Sequence, residues 1–168
     1  MPKTKSTIPT VEFVRENLSY DPLTGDFWWK TPGSRRNLDR PAGSISTQGY
    51  RVLGISGKLY KAHRLAWLIT HGVWPTNQID HRNGTRSDNR LCNLREATNG
   101  TNQENQRRGR SNNTAGYLGV YRASTSSKFR AVIQVAGTRH HLGVYATAEE
   151  AHQVYLQAKR RLHAGNTL

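Results

Sequence analysis

The sequence predicts an α+β protein of two small modules: a strand–loop–strand–helix unit, then a three-stranded antiparallel sheet covered by one helix. Three observations lead there. Two short strand-like runs, QIDHR at 78–82 and CNLREA at 92–97, bracket a loop rich in Asn, Asp, Gly and Arg. Residues 117–145 hold three runs of β character, and a helical stripe follows them. Between the two lies NQRRGRSNNTAG at 105–116, whose Gly, Asn and Ser without apolar periodicity mark a linker or exposed loop.

Composition narrows the function classes. The chain has 168 residues, a formal net charge of +14 and a pI near 10.6. Mean hydropathy is −0.77, and no stretch approaches the ~20 apolar residues of a membrane span. Residues 106–168 hold ten of the 25 basic side chains but two of the 11 acidic ones. That imbalance points to a polyanionic partner, nucleic acid foremost. A single cysteine, Cys92, excludes a disulfide framework and a Cys-based zinc site, and is expected to be a small core residue. The start, MPKTKSTIPT, lacks the apolar segment of a secretory signal, so an intracellular protein is expected. The expected organisation is a module at 1–106 with its core at about 48–106, a basic linker at 107–112, and a second module at 113–168.

The elements follow in order. Val11–Leu18 reads as a short helix capped by Thr10. DFWWK at 26–30 reads as a strand, and 49–55 with 57–61 as a hairpin turning at Ser56-Gly57. KAHRLAWLITHG at 61–72 has apolar residues at helical spacing and is closed by Gly72 and Pro75. There Leu65, Trp67 and Ile69 are packing residues, and His71 complements the dipole. Thr98–Gln106 reads as a short polar helix capped by Thr98. In the second module Lys128, Arg130, Val132 and Gln134 alternate with Phe129, Ala131, Ile133 and Val135, one polar face against one apolar. Thr147 and Glu150 form a capping box, and Ala148, Ala151, Tyr155, Ala158 and Leu162 form the stripe that covers the sheet.

Chemistry concentrates at the end of the first strand-like run. Asp80 supplies a hard carboxylate, and Asn102 on the next helix an amide oxygen. Such donors suit Mg²⁺ or Mn²⁺, which keep waters and share substrate phosphate. A neutral His81 beside such a cation can take a proton from water attacking phosphorus. Asp88 and Asn89 are read as loop stabilisers through Asx hydrogen bonds. His63 is read as a packed helix histidine, with phosphate contact as its alternative.

IDHRNGTRSDNRLCNLREAT at 79–98, followed by NQEN and preceded by AHRLAW at 62–67, resembles the HNH homing-type endonucleases of phages and mobile elements. The resemblance covers residues 48–106. It implies a ββα-metal nuclease module with His81 as general base, Asp80 and Asn102 as ligands of one divalent cation, and Asn93 tying the loop and orienting the histidine. Asn105 is either an outer supporting group or a helix-surface residue. The chain has no CxxC pair, so it departs from the zinc-stapled branch and no zinc is expected.

YLGVYRA, KFRAVI, HHLGVYATAEEAHQVY and KRRLHAG resemble the AP2 DNA-binding domain over residues 113–165. The resemblance places Arg122, Lys128, Arg130, Gln134, Arg139 and His141 on DNA-contacting strands. Arg107, Arg108 and Arg110 add a basic linker that follows the DNA backbone. Leu118 stands where that family commonly has Arg, and the Trp expected near Phe129 is missing.

Together these readings give a phage-type, metal-dependent DNA endonuclease of the bacterial interior. It would act as a monomer on double-stranded DNA, nicking one strand at selected sites, with no small-molecule substrate and no membrane partner. The alternative is a non-catalytic DNA-binding regulator that uses the first module as scaffold. RNA binding has less support, because no stacking face of the RRM or OB type is present.

Overall fold

The computed structural model describes residues 8–34, 36–106, 109, 113–124, 126–163 and 166. Two compact units emerge, Met1–Glu96 and Ala97–Leu168, so the helix at 99–104 counts with the second.

The first unit begins with α1 (Val11–Asn17), whose N-cap Thr10 accepts from Phe13 N at 3.2 Å. The chain then folds into a hairpin of β1 (Leu18–Tyr20) and β2 (Phe27–Trp29), with Leu18 opposite Trp29. The strand read at 26–30 thus has a partner that sequence patterning did not reveal. Next come β3 (Ser44–Ile45), β4 (Arg51–Ile55) and β5 (Lys58–Lys61) in one antiparallel sheet. The expected turn at Ser56-Gly57 forms, with both residues at positive φ (+48° and +77°), which lets two residues reverse a hairpin.

The amphipathic helix is α2 (Ala62–His71), ended by Gly72 at φ +76°, whose N–H bonds to Leu68 O at 2.9 Å. It buries Ala62, Leu65, Ala66 and Leu68 in a core with Val14, Leu18, Phe27, Leu53, Ile55, Ile79 and Leu94. Trp67 and Ile69 pack half-buried on that core. His71 lies in the last turn and its ring rests against Trp67, centroids 4.1 Å apart and tilted by 38°.

Past α2, β6 (Gln78–His81) pairs with β7 (Leu94–Ala97). The second strand starts later than CNLREA suggested. Leu91–Asn93 is a single 3₁₀ turn, closed by Asn93 N donating to Arg90 O at 2.9 Å. The turn carries Cys92 outward, so it is exposed rather than the core residue expected.

The second unit starts with α3 (Asn99–Glu104), capped by Thr98. Its sheet runs β10–β9–β8, made of β8 (Val120–Arg122), β9 (Phe129–Val135) and β10 (Thr138–Tyr145), all antiparallel. β8 is shorter than YLGVYRA implied, because Gly116 and Gly119 take φ of +77° and +75° and keep the chain turning up to Val120. A Cβ at Gly119 would stand 2.0 Å from the Tyr155 ring, so no other residue fits there.

α4 (Ala148–Leu162) opens on the expected capping box of Thr147 and Glu150. Its buried side presents Ala148, Ala151 and Tyr155, but the stripe then departs from expectation. Leu162 is exposed, and Lys159 is buried, donating from Nζ to the Gln106 carbonyl. An aliphatic lysine stem packs like a leucine while its head finds a backbone acceptor. Among the described residues, no helix is long and apolar enough to cross a membrane.

Candidate active site

β6 is buried from Ile79 to His81, so the strand carries Asp80 and His81 into the protein as a neighbouring pair. Its partner strand supplies a cation: Arg95 donates to Asp80 Oδ2 from Nε at 3.0 Å and Nη2 at 2.8 Å. Two charge-assisted bonds on one oxygen fix the carboxylate in place.

The loop between the strands is tied by side chains that mimic backbone. Asn93 Oδ1 accepts from Asn83 N at 2.9 Å, while its Nδ2 donates to Asp88 O at 2.8 Å. Asp88 is held by Arg90 Nε at 2.8 Å and Nη2 at 2.6 Å, and by Asn83 Nδ2 at 2.7 Å. The Arg90 bonds in particular hold the Asp88 carboxyl down at about 2. Asp88 therefore stabilises the loop, as its Asx pattern suggests.

Asn89 does more than that. It is 1% exposed, and its Oδ1 lies 3.3 Å from His81 Nε2. The orientation of the amide is set by Nδ2, which donates to Ser87 O at 3.1 Å. An oxygen facing Nε2 suits the tautomer that carries the proton on that nitrogen. Burial first of all pushes the His81 pKa below its ordinary value, and Arg86 adds to this against the Asn89 bond and Asp80. The ring is thus kept neutral and able to accept a proton.

A second histidine completes the floor. His63, in the first turn of α2, is buried, and its ring meets that of His81 at 4.9 Å and 85°. Its Nδ1 is buried without a hydrogen-bond partner. Burial, then the charges of His81, Lys61 and Arg64, push it down to about 3. Tyr50 adjoins both rings, 5.3 Å from His63 and 6.1 Å from His81. Lys61 and Arg86 lie over the Tyr50 ring.

The roles of His63, Tyr50, Asn89 and Arg95 were not read from the sequence as a group. Asn89 was read only as a loop stabiliser and His63 as a packed histidine, while Tyr50 and Arg95 left no local signal.

The remaining candidates belong to the second unit or to neither description. Asn102 sits on α3, its N–H bonded to Thr98 O at 3.0 Å, and Asn105 caps that helix and is buried. Arg107, Arg108 and Arg110 lie outside the described residues. In the sheet, cross-strand register sorts the rest. Tyr121 faces Arg130, Gln134 faces Arg139 and Val132 faces His141, which puts Arg130, Gln134, Arg139 and His141 on one side. Lys128 immediately precedes β9, with its carbonyl bonded to Ala123 N at 2.9 Å. Arg122 is instead paired with Phe129, its guanidinium 5.4 Å from that ring. A cleft of about 810 Å³ in this unit is lined by Arg122, Arg130, Gln134 and Arg139 among others.

Comparison with known proteins now adds to this geometry. The HNH endonuclease family model matches residues 60–107. That stretch runs from the end of β5 past α3 and contains Asp80, His81, Asn93 and Asn102. The match supports endonuclease activity for this chain. A solved structure described as "DNA binding and cleavage by the HNH homing endonuclease I-HmuI" is similar at 20% identity and a TM-score of 0.46, over 94% of this chain and 93% of that one. No curated protein matches.

Proposed function

We propose that the protein is a metal-dependent DNA endonuclease that nicks one strand at sites selected by its second unit. The observation that carries this reading is the buried Asp80–His81 pair at the end of β6, inside the segment similar to HNH endonucleases. In this reading His81 is the general base. Asn89 holds its Nε2, and the neutral ring takes the proton of a water attacking phosphorus.

Asp80 is the carboxylate ligand, with Asn102 as second ligand by resemblance. Among the described residues no group of three or more His, Cys, Asp or Glu is arranged for a metal. A carboxylate and an amide oxygen are hard donors that suit a lean Mg²⁺ or Mn²⁺ site, which needs only one or two carboxylates and completes its shell with water and substrate phosphate. When bound, the cation supplies charge neutralisation at the scissile phosphate and the departing 3′ oxygen. Arg95 keeps Asp80 oriented for that role.

In the second unit, Arg130, Gln134, Arg139 and His141 on one side of an AP2-like sheet are the DNA-reading surface. A narrow sheet of this kind can enter the major groove. Arg107, Arg108 and Arg110 add backbone contacts along the linker.

The test is supercoiled plasmid with Mg²⁺, with and without EDTA. The expected result is open-circle product bearing 5′-phosphate ends, lost with EDTA and with His81→Ala. Full-rate cleavage in EDTA overturns the metal reading. No cleavage with either Mg²⁺ or Mn²⁺ overturns the enzyme reading in favour of a DNA-binding regulator.

A further inference from the structure

Two cations share one aromatic ring beside the proposed general base. Lys61 Nζ lies 4.2 Å from the Tyr50 ring centroid, and Arg86 Cζ lies 5.1 Å from the same point. Like charges held over one ring repel unless something offsets them. The ion pairs Arg51–Asp26, Arg90–Asp88 and Arg95–Asp80 include neither Lys61 nor Arg86. Both side chains are exposed.

The surroundings add to the positive potential. Lys61 is the N-cap of the ten-residue α2, makes no side-chain cap bond, and the first turn contains no acidic residue. The positive end of the helix dipole is therefore not offset by a carboxylate. Arg86 is fixed by Nη1 donating to Gln48 O at 2.9 Å, so its guanidinium is pre-oriented. The buried, unpartnered Nδ1 of His63 lies in the same cluster, its ring 5.3 Å from Tyr50.

We infer that Lys61 and Arg86, supported on Tyr50, form a phosphate clamp that grips the DNA backbone next to the phosphodiester addressed by His81. The inference deepens the endonuclease reading and takes from it only that the ligand is DNA. With both cations on the Tyr50 ring, that ring is a platform for charge and not a stacking surface for a base. The clamp accordingly contacts backbone and is indifferent to sequence. Its purpose is positioning. A strand held one step away presents its neighbouring phosphate to the base and the cation.

The experiment uses the full chain carrying His81→Ala, so that binding is read without cleavage, and a fluorescein-labelled mixed-sequence DNA duplex. Affinity is measured against salt for Lys61→Gln, Arg86→Gln, the double variant and Arg86→Lys, each checked by thermal unfolding. Each removed charge should flatten the slope of log K against log[salt] by about 0.9, and both together by about twice that. Arg86→Lys should keep the parent slope. Slopes unchanged in folded Gln variants overturn the clamp. Should a Gln variant unfold, Lys61→Met and Arg86→Met, which keep the stems on the ring, give the same reading. Wild-type cleavage is assayed alongside. Cleavage with unchanged slopes strikes down the clamp alone, and flattened slopes without cleavage strike down the endonuclease reading alone.

Discussion

The Tyr20 hydroxyl donates to the backbone carbonyl of Asn89 at 2.7 Å, joining the first hairpin to the loop that orients His81. Burial above all raises the Tyr20 phenol, so it stays a protonated donor. The hairpin turn leans on the same loop: Leu91 N donates to Pro22 O at 3.0 Å. At Gly25, with φ +80°, an added Cβ would stand 2.5 Å from Arg90 N. The hairpin is therefore part of the site's scaffold.

Tyr20→Phe should cost about 1 kcal/mol of stability, the usual net worth of one such bond, by chemical denaturation. It should also lower kcat while leaving KM near wild type, since Tyr20 touches the His81 support and no proposed DNA contact. Gly25→Ala should destabilise more, because backbone must move to admit the methyl group. A Tyr20→Phe enzyme with wild-type kcat would separate the hairpin from catalysis.

His81→Ala should retain DNA binding and lose about 10²–10⁴-fold in rate, the usual contribution of a positioned base. Asn89→Ala should lower kcat by less, because the imidazole remains but loses the acceptor that fixes its tautomer. Single-turnover cleavage at saturating Mg²⁺ measures both. A larger loss for Asn89→Ala than for His81→Ala would show that the loop, not the ring, limits the reaction.

The Asp80–Arg95 pair predicts coupled losses. Arg95→Ala removes the principal cation beside a carboxylate whose side chain is 7% exposed, and should cost about 3 kcal/mol of stability. Asp80→Ala should abolish cleavage and also destabilise, and the double variant should fall short of the sum of the two. A thermodynamic cycle from denaturant unfolding checks this, and additive losses would show that the pair is not energetically coupled.

Local pattern made much of this architecture legible. The helix at 62–71, its Gly72 stop, the Ser56-Gly57 hairpin and the three C-terminal strands all follow from periodicity and turn chemistry. Asp80 and His81 as a bare pair are a weak signal; they stood out through the surrounding pattern at 79–98 that resembles the HNH endonucleases. Long-range relationships were not legible. Tyr20 and Asn89 are 69 residues apart, and Asp80 and Arg95 are 15 apart. Neither spacing has a period that betrays a contact. Cys92 and Leu162 went astray for a related reason: a 3₁₀ turn and a helix end reset which side faces inward, and side-chain type alone does not reveal that.

The final prediction concerns His63 and acid. In the folded protein its pKa is pushed down to about 3, chiefly by burial, while in the unfolded chain it titrates near ~6.5. Above that value neither state binds the proton, and His63 leaves stability unchanged with pH. Below it the unfolded chain takes up a proton that the folded one refuses. Stability therefore falls as pH drops, by about 1.4 kcal/mol per pH unit, until the folded ring protonates near pH 3. His81, also depressed, acts in the same direction. Carboxylates contribute to acid unfolding too, so the informative quantity is a difference. His63→Gln should reduce the slope of unfolding free energy against pH between about 6 and 4 by roughly 1.4 kcal/mol per unit, whatever its effect on absolute stability. Equal slopes in the two proteins would show that His63 accepts its proton inside the fold.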